Sequence, residues 1–154
     1  MSAVLKDELP APRDMLEADL PEVLAIERAA YEFPWTEGIM RDCFKFNYLC
    51  KVYATSRQII GYAFMSVAVG ECHFLNICIA PAVQNQGHGA RFLVHLLRMA
   101  REAGARSAHL EVRTSNIAAY RLYHKMGFNE IGVRKDYYPA RKGREDALLL
   151  MREL

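Results

Sequence analysis

The sequence predicts one α/β domain in which a mixed sheet carries helices on its faces. Three observations predict this class. An antiparallel run of strands comes first, strands and helices then alternate after a glycine-rich loop, and apolar residues recur with a helical period between residues 90 and 102. The length of 154 residues suits one domain with a sizeable core, and no repeat or linker divides the chain.

In chain order, residues 1–11 are predicted to be a flexible tail. Asp19 is then predicted to cap a first helix, which has Pro21 at its start. Thr36 is predicted to cap a second helix that continues to about Phe46.

Six later segments have the β-branched, aromatic or alternating composition of strands, and two have the period of helices. The predicted strands are Tyr48–Ala54, Ile59–Val69, Glu71–Ile79, Ser107–Arg113, Phe128–Val133 and Ala147–Met151. The predicted helices are Ala90–Glu102, ended by Gly104, and Asn116–Met126, ended by Gly127.

The composition excludes several classes of protein. Hydrophobic residues make up 52% and charged residues 25% of the chain, and the net charge of +2 gives no reason to expect direct nucleic-acid binding. No apolar run reaches the roughly 18 residues of a membrane span, and the N-terminal segment lacks a secretory pattern. We therefore expect a cytoplasmic protein without a membrane partner. Its four cysteines form no C-x-x-C pair and are expected to be buried free thiols.

The six residues Gln84–Gly89 form a glycine loop between a strand and a helix. Two glycines let the backbone approach a ligand, and the following helix directs its free N–H groups and positive dipole end to the same place. This order favours a phosphate or pyrophosphate ligand. A tight strand-to-helix turn without a ligand is the alternative, because the loop fits neither the Rossmann nor the Walker pattern.

Glu111 lies in a segment where alternation puts His109, Glu111 and Arg113 on one face of a strand. The strand stands between two helices in the sequence and is predicted to be central, where a carboxylate is unusual. Glu111 is therefore either a general base in a partly desolvated pocket or a salt-bridged, half-exposed side chain.

The helix that follows places Asn116, Tyr120 and Tyr123 on one face. This face is either an aromatic packing stripe or part of a ligand site. Ligands of open α/β sheets favour the carboxyl ends of strands, so the glycine loop, Glu111 and this face are predicted to surround one crevice.

Five basic residues fall within eleven positions near the C-terminus: Arg134, Lys135, Arg141, Lys142 and Arg144. They predict either a solvated basic loop or a rim that meets phosphates or an anionic partner.

With these motifs in place, the chain resembles the GNAT superfamily of N-acetyltransferases from about Asp14 to the C-terminus, and within it the bacterial ribosomal-protein alanine N-acetyltransferases. The resemblance rests on Phe33-Pro34-Trp35, Asn76-Ile77, the Q-x-x-G-x-G loop, Leu110-Glu111-Val112-Arg113, Ser115-Asn116, Leu122-Tyr123, Gly127-Phe128-Asn129-Glu130, Tyr137-Tyr138-Pro139 and Gly143-Arg144-Glu145-Asp146-Ala147.

The resemblance implies a mostly antiparallel mixed sheet with a central parallel strand pair, and acetyl-CoA as co-substrate without a metal. It implies that Glu111 is the general base and Tyr123 the general acid of a direct transfer. The implied cofactor-binding residues are Ile77, Cys78, Ile79, Asn85, Gln86, Gly87, His88, Gly89, Ala90 and Asn116. Relatives often carry Arg or Lys where this chain has Ala90, and Arg91 follows instead.

For the acceptor, the resemblance implies the N-terminal Ala of a small-subunit ribosomal protein. Phe33, Trp35, Tyr137 and Tyr138 would supply an aromatic cleft for that peptide, unless they only pack in the core and its rim. The rival functions are acetylation of another amine, such as a lysine side chain or a small molecule, and a non-catalytic acyl-CoA sensor. Retention of both Glu111 and Tyr123 argues against the sensor, which needs neither.

Overall fold

The computed structural model describes residues 8–154. Its strands are β1 (Ala11–Asp14), β2 (Leu49–Ala54), β3 (Ile59–Ala68), β4 (Glu71–Ile79), β5 (Ser107–Arg113), β6 (Asn129–Pro139) and β7 (Arg144–Glu153). Its helices are α1 (Leu20–Ala30), α2 (Glu37–Lys45), α3 (His88–Glu102) and α4 (Ile117–Lys125). Two short 3₁₀ turns lie at Glu17–Asp19 and Pro81–Val83.

The strands form one sheet in the order β1-β2-β3-β4-β5-β7-β6. β4 and β5 are parallel, as expected for strands joined through a helix, here α3. The pairs β1–β2, β5–β7 and β6–β7 are antiparallel. The predicted α/β class is confirmed, as is the central place of the strand that carries Glu111. Among residues 8–154, no helix is long and apolar enough to cross a membrane.

The N-terminal strand β1 is absent from the sequence prediction. It contains Pro12 and two charged residues, which give no apolar alternation, and it lies at an edge of the sheet where such residues are tolerated. Most of the predicted tail, residues 1–7, lies outside the described residues. The first described residue of that tail, Glu8, has a carboxylate that accepts hydrogen bonds from the backbone N–H of Ser56 at 2.8 Å and from the Ser56 hydroxyl at 2.7 Å.

The second difference concerns the basic segment, because the prediction ended β6 at Val133 and began β7 at Ala147. In the structure β6 continues to Pro139, and β7 begins at Arg144. Most of the predicted loop is therefore the arm of a β-hairpin, and residues 140–143 connect its two strands. β6 is the other edge strand and is exposed over most of its length. Polar residues can therefore form it without the alternation that identifies half-buried strands.

The helix caps were predicted with mixed success. The Thr36 hydroxyl accepts a hydrogen bond from the Ile39 N–H at 3.2 Å, which confirms the cap of α2. The prediction that the Asp19 side chain caps α1 is wrong. Its carboxylate instead accepts from the Leu16 N–H at 2.8 Å and pairs with Arg13.

Contacts divide the described residues into two compact units, one of residues up to Phe64 together with Asn76–Phe92, and the other of Met65–Leu75 with Leu93–Leu154. In the first, the apolar face of α1 packs in a core with residues of α2, β2 and β3. In the second, buried residues of α3, β7 and one face of β5 pack with buried residues of β4 and α4. Ala108, Leu110 and Val112 are the buried members of β5, so the predicted alternation of that strand is confirmed.

All four cysteines, Cys43, Cys50, Cys72 and Cys78, are buried and free. Burial raises the pKa of each thiol, to about 11 for Cys43 and about 12 for Cys50 and Cys72. The thiols therefore stay protonated at neutral pH.

We expect Gly61→Ala to lower the free energy of unfolding by about 1–3 kcal/mol. A Cβ at Gly61 would lie 2.8 Å from the carbonyl oxygen of Cys78 and 2.7 Å from Cδ1 of Ile79, and a strand carbonyl cannot move aside alone. Urea unfolding measures the change. Gly38→Ala in α2 is the matched control, because its Cβ meets only the Thr36 hydroxyl at 3.8 Å and alanine favours a helix. An unchanged Gly61→Ala midpoint would show that β3 and β4 can separate freely there.

Candidate active site

In the first unit, the glycine loop has a backbone shaped by left-handed residues. Asn85 has φ +62° and Gly87 φ +81°, and α3 begins at His88, two residues earlier than predicted. A Cβ on Gly87 would lie 2.8 Å from the guanidinium of Arg91. The loop thus leaves its backbone uncovered by a side chain at Gly87, ahead of the N–H groups of a 15-residue helix, and its role as a pyrophosphate site stays a prediction.

Arg91 folds back on this loop. Its Nη2 donates to the carbonyl of Gln86 at 3.0 Å and lies 3.1 Å from Nδ1 of His88. Burial, and then the charge of Arg91, lower the pKa of His88. The guanidinium of Arg91 thus holds the loop in place. Its neighbour Ala90 occupies the position where relatives often carry Arg or Lys.

The end of β4 holds the three residues expected along the acyl arm of the cofactor. The carbonyl of Ile77 accepts a hydrogen bond from the Tyr31 hydroxyl at 3.1 Å, and that of Ile79 accepts one from Nε2 of Gln84 at 2.9 Å. Cys78 is buried between them. The strand end is therefore fixed by side chains on both sides of Cys78.

Two of the four aromatic residues predicted to contact the acceptor lie in the first unit. Phe33 is 40% exposed, whereas Trp35 is half-buried with its ring 5.3 Å from that of Phe64. The backbone N–H of Trp35 donates to Oε2 of Glu27 at 2.9 Å. The segment is thus anchored at Trp35 and exposed at Phe33.

In the second unit, Glu111 lies on β5 opposite Leu149 of β7 with 28% of its side chain exposed. Its Oε1 is 3.4 Å from Nε of Arg134, and the carboxylate lies near enough to the Tyr137 hydroxyl to add to the rise that burial causes in the pKa of that tyrosine. These contacts give Glu111 one cation and one hydroxyl as neighbours. They fit the salt-bridged alternative as well as a base, so the base role stays a prediction.

Tyr137 and Tyr138 face this carboxylate because β6 is irregular there. The register against β7 shifts between Arg134 and Tyr138, and Asp136 has φ +53°. Burial, and then the neighbouring Glu111, raise the pKa of both tyrosines, to about 12 for Tyr138. Two protonated phenols therefore lie near Glu111. The sequence predicted Tyr137 and Tyr138 only as contacts of the acceptor and did not predict this proximity.

Asn116 and Tyr123 are the other predicted residues of this unit. The side-chain oxygen of Asn116 caps α4 by accepting from the Ala119 N–H at 3.2 Å. Tyr123 is 7% exposed, and its ring lies edge-on to Phe128 at 5.8 Å. Both belong to α4 or its cap, as the sequence predicted, while their roles stay predictions.

Glu145 joins the hairpin arm to the turn before α4. Its Oε2 accepts from the Ser115 N–H at 2.7 Å and the Thr114 hydroxyl at 3.2 Å, and its Oε1 lies 3.1 Å from Nη1 of Arg113. Arg113 in turn lies 4.4 Å above the ring of Tyr138 and donates to the carbonyl of Pro139 at 2.8 Å. Hydrogen bonds from Ser115, then the pair with Arg113, lower the pKa of Glu145 to about 2.

This network predicts a stability difference that depends on pH. A carboxylate whose folded pKa is depressed stabilises the fold above its unfolded pKa of 4.5 and loses that contribution as the pH falls toward 2. We expect Glu145→Gln to unfold at lower urea than the wild type at pH 6, with the gap shrinking between pH 4.5 and 3. A gap that stays constant over that range would contradict a stabilising carboxylate.

Sequence reasoning missed two of these residues. Arg134 was assigned only to a basic segment, and Glu27 was not selected at all. Glu27 stands four residues after Val23 and three after Leu24, which places it on the apolar face of its helix. An ionisable residue in that position is the signal that could have found it. Among residues 8–154, no three His, Cys, Asp or Glu side chains group as metal ligands would, and the expected lack of a metal stays a prediction.

Comparisons with known proteins show which family this chain resembles in sequence and fold. The model of the acetyltransferase (GNAT) family matches residues 13–128. The chain is 37% identical over 132 residues to the [ribosomal protein bS18]-alanine N-acetyltransferase of Escherichia coli strain K12, covering 86% of this chain and 89% of that protein.

Two solved structures extend the comparison. The Escherichia coli ribosomal-protein-S18-alanine N-acetyltransferase superposes with a TM-score of 0.88 at 34% identity, over 94% of each chain. A GNAT family acetyltransferase from Elizabethkingia anophelis, solved with acetyl-CoA bound, shares the fold with a TM-score of 0.76 at 20% identity, over 94% of this chain and 98% of that one.

Proposed function

The chain belongs to the acetyltransferase (GNAT) family, and from this premise we propose that it acetylates the α-amine of an N-terminal alanine with acetyl-CoA. The observation that carries the proposal is the 37% identity to an alanine N-acetyltransferase over most of both chains. By that relation the acceptor is the N-terminus of a small-subunit ribosomal protein, and we infer a cytoplasmic location from that substrate.

The glycine loop is the proposed seat of the pyrophosphate of acetyl-CoA. The left-handed backbone at Asn85 and Gly87 and the helix that begins at His88 support this role. Ile77–Ile79 would accompany the acyl arm through their backbone, and Asn116 would contact its pantetheine portion. The thioester supplies an activated acetyl group, so the remaining chemistry is proton transfer.

Glu111 and Tyr123 are proposed to move those protons. An α-amine has a pKa of ~8 and is largely protonated at pH 7, and the protonated form cannot attack a thioester. The Glu111 carboxylate would remove that proton, directly or through water, and the Tyr123 hydroxyl would supply one to the leaving sulfur. Between these two proton transfers, the neutral amine attacks the acetyl carbon directly, without an acyl-enzyme stage.

Each unit has its own proposed acceptor contacts, which are Phe33 and Trp35 in the first unit and Tyr137 and Tyr138 in the second. Exposure supports the assignment for Phe33 and Tyr137, at 40% and 41%. Of the basic hairpin arm, Arg134 is engaged by Glu111 and Arg144 by the carbonyls of Asp136 and Tyr137. Those two cations therefore stabilise the arm itself and are already engaged by groups of the protein.

Two matched peptides test the function. One has a free N-terminal Ala, and its twin has that amine blocked and an internal Lys available. Mass spectrometry with acetyl-CoA should find one added acetyl group on the first peptide alone. A gain on the blocked twin would indicate a lysine acetyltransferase, and no gain on either despite bound acetyl-CoA would favour another amine or a sensor.

A further inference from the structure

The carboxylate of Glu27 is buried in the first unit, with only 2% of the residue exposed. A buried charge is costly unless it is paired or hydrogen-bonded. Oε1 accepts from the Tyr62 hydroxyl at 2.5 Å and from Nδ2 of Asn76 at 2.8 Å, and Oε2 accepts from the Trp35 N–H at 2.9 Å. All three partners are donors, which matches a group that only accepts.

These partners come from separate parts of the unit. Tyr62 is a core residue of β3, Asn76 precedes the 77–79 segment of β4, and Trp35 follows the exposed residues Phe33 and Pro34. Four residues after Glu27, at the residue that caps the C-terminus of α1, the Tyr31 hydroxyl donates to the carbonyl of Ile77 at 3.1 Å. The end of α1 therefore fixes a surface segment and the end of a strand together.

The two oxygens of Glu27 have different tasks. Oε1 accepts from two side chains, the hydroxyl of the buried Tyr62 and the amide of the half-buried Asn76. Oε2 meets a backbone N–H at the boundary between the core and the 33–35 segment, and a backbone N–H can only donate. The position of that segment therefore depends on an acceptor at this point.

We propose that Glu27 is a positioning residue for the peptide acceptor, which acts by fixing the backbone at Trp35 and with it the exposed ring of Phe33. This inference rests on the proposed function, in which Phe33 and Trp35 contact the peptide. Glu27 takes no part in proton transfer. Its removal should weaken acceptor binding and leave the chemistry and the glycine loop intact.

The test compares Glu27→Gln with Tyr62→Phe. Glutamine keeps the shape but brings its own donor, so three donors compete for one oxygen. We expect the acceptor KM to rise about tenfold, with kcat within about threefold and the Kd of acetyl-CoA within about twofold of the wild type. Tyr62→Phe removes one interior donor and keeps the hydrogen bond that the backbone N–H of Trp35 donates to Oε2, so its acceptor KM should match the wild type even at a lower Tm.

Trp35 is the only tryptophan of the chain and supplies a readout independent of turnover. Acrylamide should quench its fluorescence more strongly in Glu27→Gln than in the wild type and in Tyr62→Phe. Should Glu27→Gln fail to fold, Glu27→Asp keeps the charge, shortens the side chain by one methylene and should move both readouts in the same direction.

Wild-type values of acceptor KM and of quenching in the Glu27 variants would overturn the proposal. So would a rise in KM in Tyr62→Phe as large as that in Glu27→Gln, because general loosening of the core would then explain both. A wild-type protein that acetylates no peptide would refute the proposed function instead. In that case the Trp35 quenching alone would decide whether Glu27 fixes the segment.

Discussion

Glu111→Gln is expected to lower kcat by about 10²–10⁴-fold at pH 7 while the Kd of acetyl-CoA changes less than about twofold. Glutamine preserves the shape and position on β5 but cannot accept a proton. About a tenth of the acceptor amine is already neutral at pH 7, so its protonation accounts for about tenfold of the loss. The missing proton acceptor in the transition state accounts for the rest.

The pH dependence of that variant provides the sharper measurement. Raising the pH from 7 to 9 supplies neutral amine from solution, so the deficit of Glu111→Gln should narrow over this range. Arg134→Gln is the matched control, because it removes the ion pair with Glu111 and leaves the carboxylate. Wild-type turnover by Glu111→Gln at pH 7 would exclude Glu111 as the base.

Tyr123→Phe should lower kcat by about 10²-fold, since the leaving sulfur would lose its proton donor. Only a hydroxyl is removed, and the ring can keep its contact with Phe128 at 5.8 Å. We therefore expect the Tm to stay within a few degrees of the wild type, which separates a chemical effect from unfolding.

Tyr120→Phe is the control for this experiment. It removes the same atom from the same helix, where the Tyr120 ring stacks on His124 at 6.1 Å. Steady-state kinetics should find full turnover in Tyr120→Phe and the deficit in Tyr123→Phe. Equal rates for the two variants would assign the proton donor elsewhere.

The sequence predicts best where the cause of a structure is local. The cap at Thr36 and the alternation of β5 depend on neighbouring residues, and both are present in the structure. β1 and the hairpin arm of β6 and β7 escaped prediction because edge strands need no apolar alternation. Local pattern thus locates the buried strands and misses the ones at the rim of the sheet.

The residues of the candidate site also differ in whether a local sequence pattern can identify them. Glu111 and the glycine loop stand out as residues at odds with their surroundings, whereas their partners come from distant positions. Glu27 and Asn76 are 49 residues apart, and Arg113 and Glu145 are 32 apart. No spacing rule connects such pairs, so only the fold reveals which carboxylate braces which segment.

The four buried cysteines make the chain its own reporter of local opening. A thiol reacts as its thiolate, and a protonated, enclosed thiol reacts only when the structure around it opens. Cys43 and Cys50 would report on α2 and β2 of the first unit, and Cys72 on β4 in the second. Timed alkylation of the unmodified protein, read by peptide mass, would therefore rank the stability of its parts without any added label.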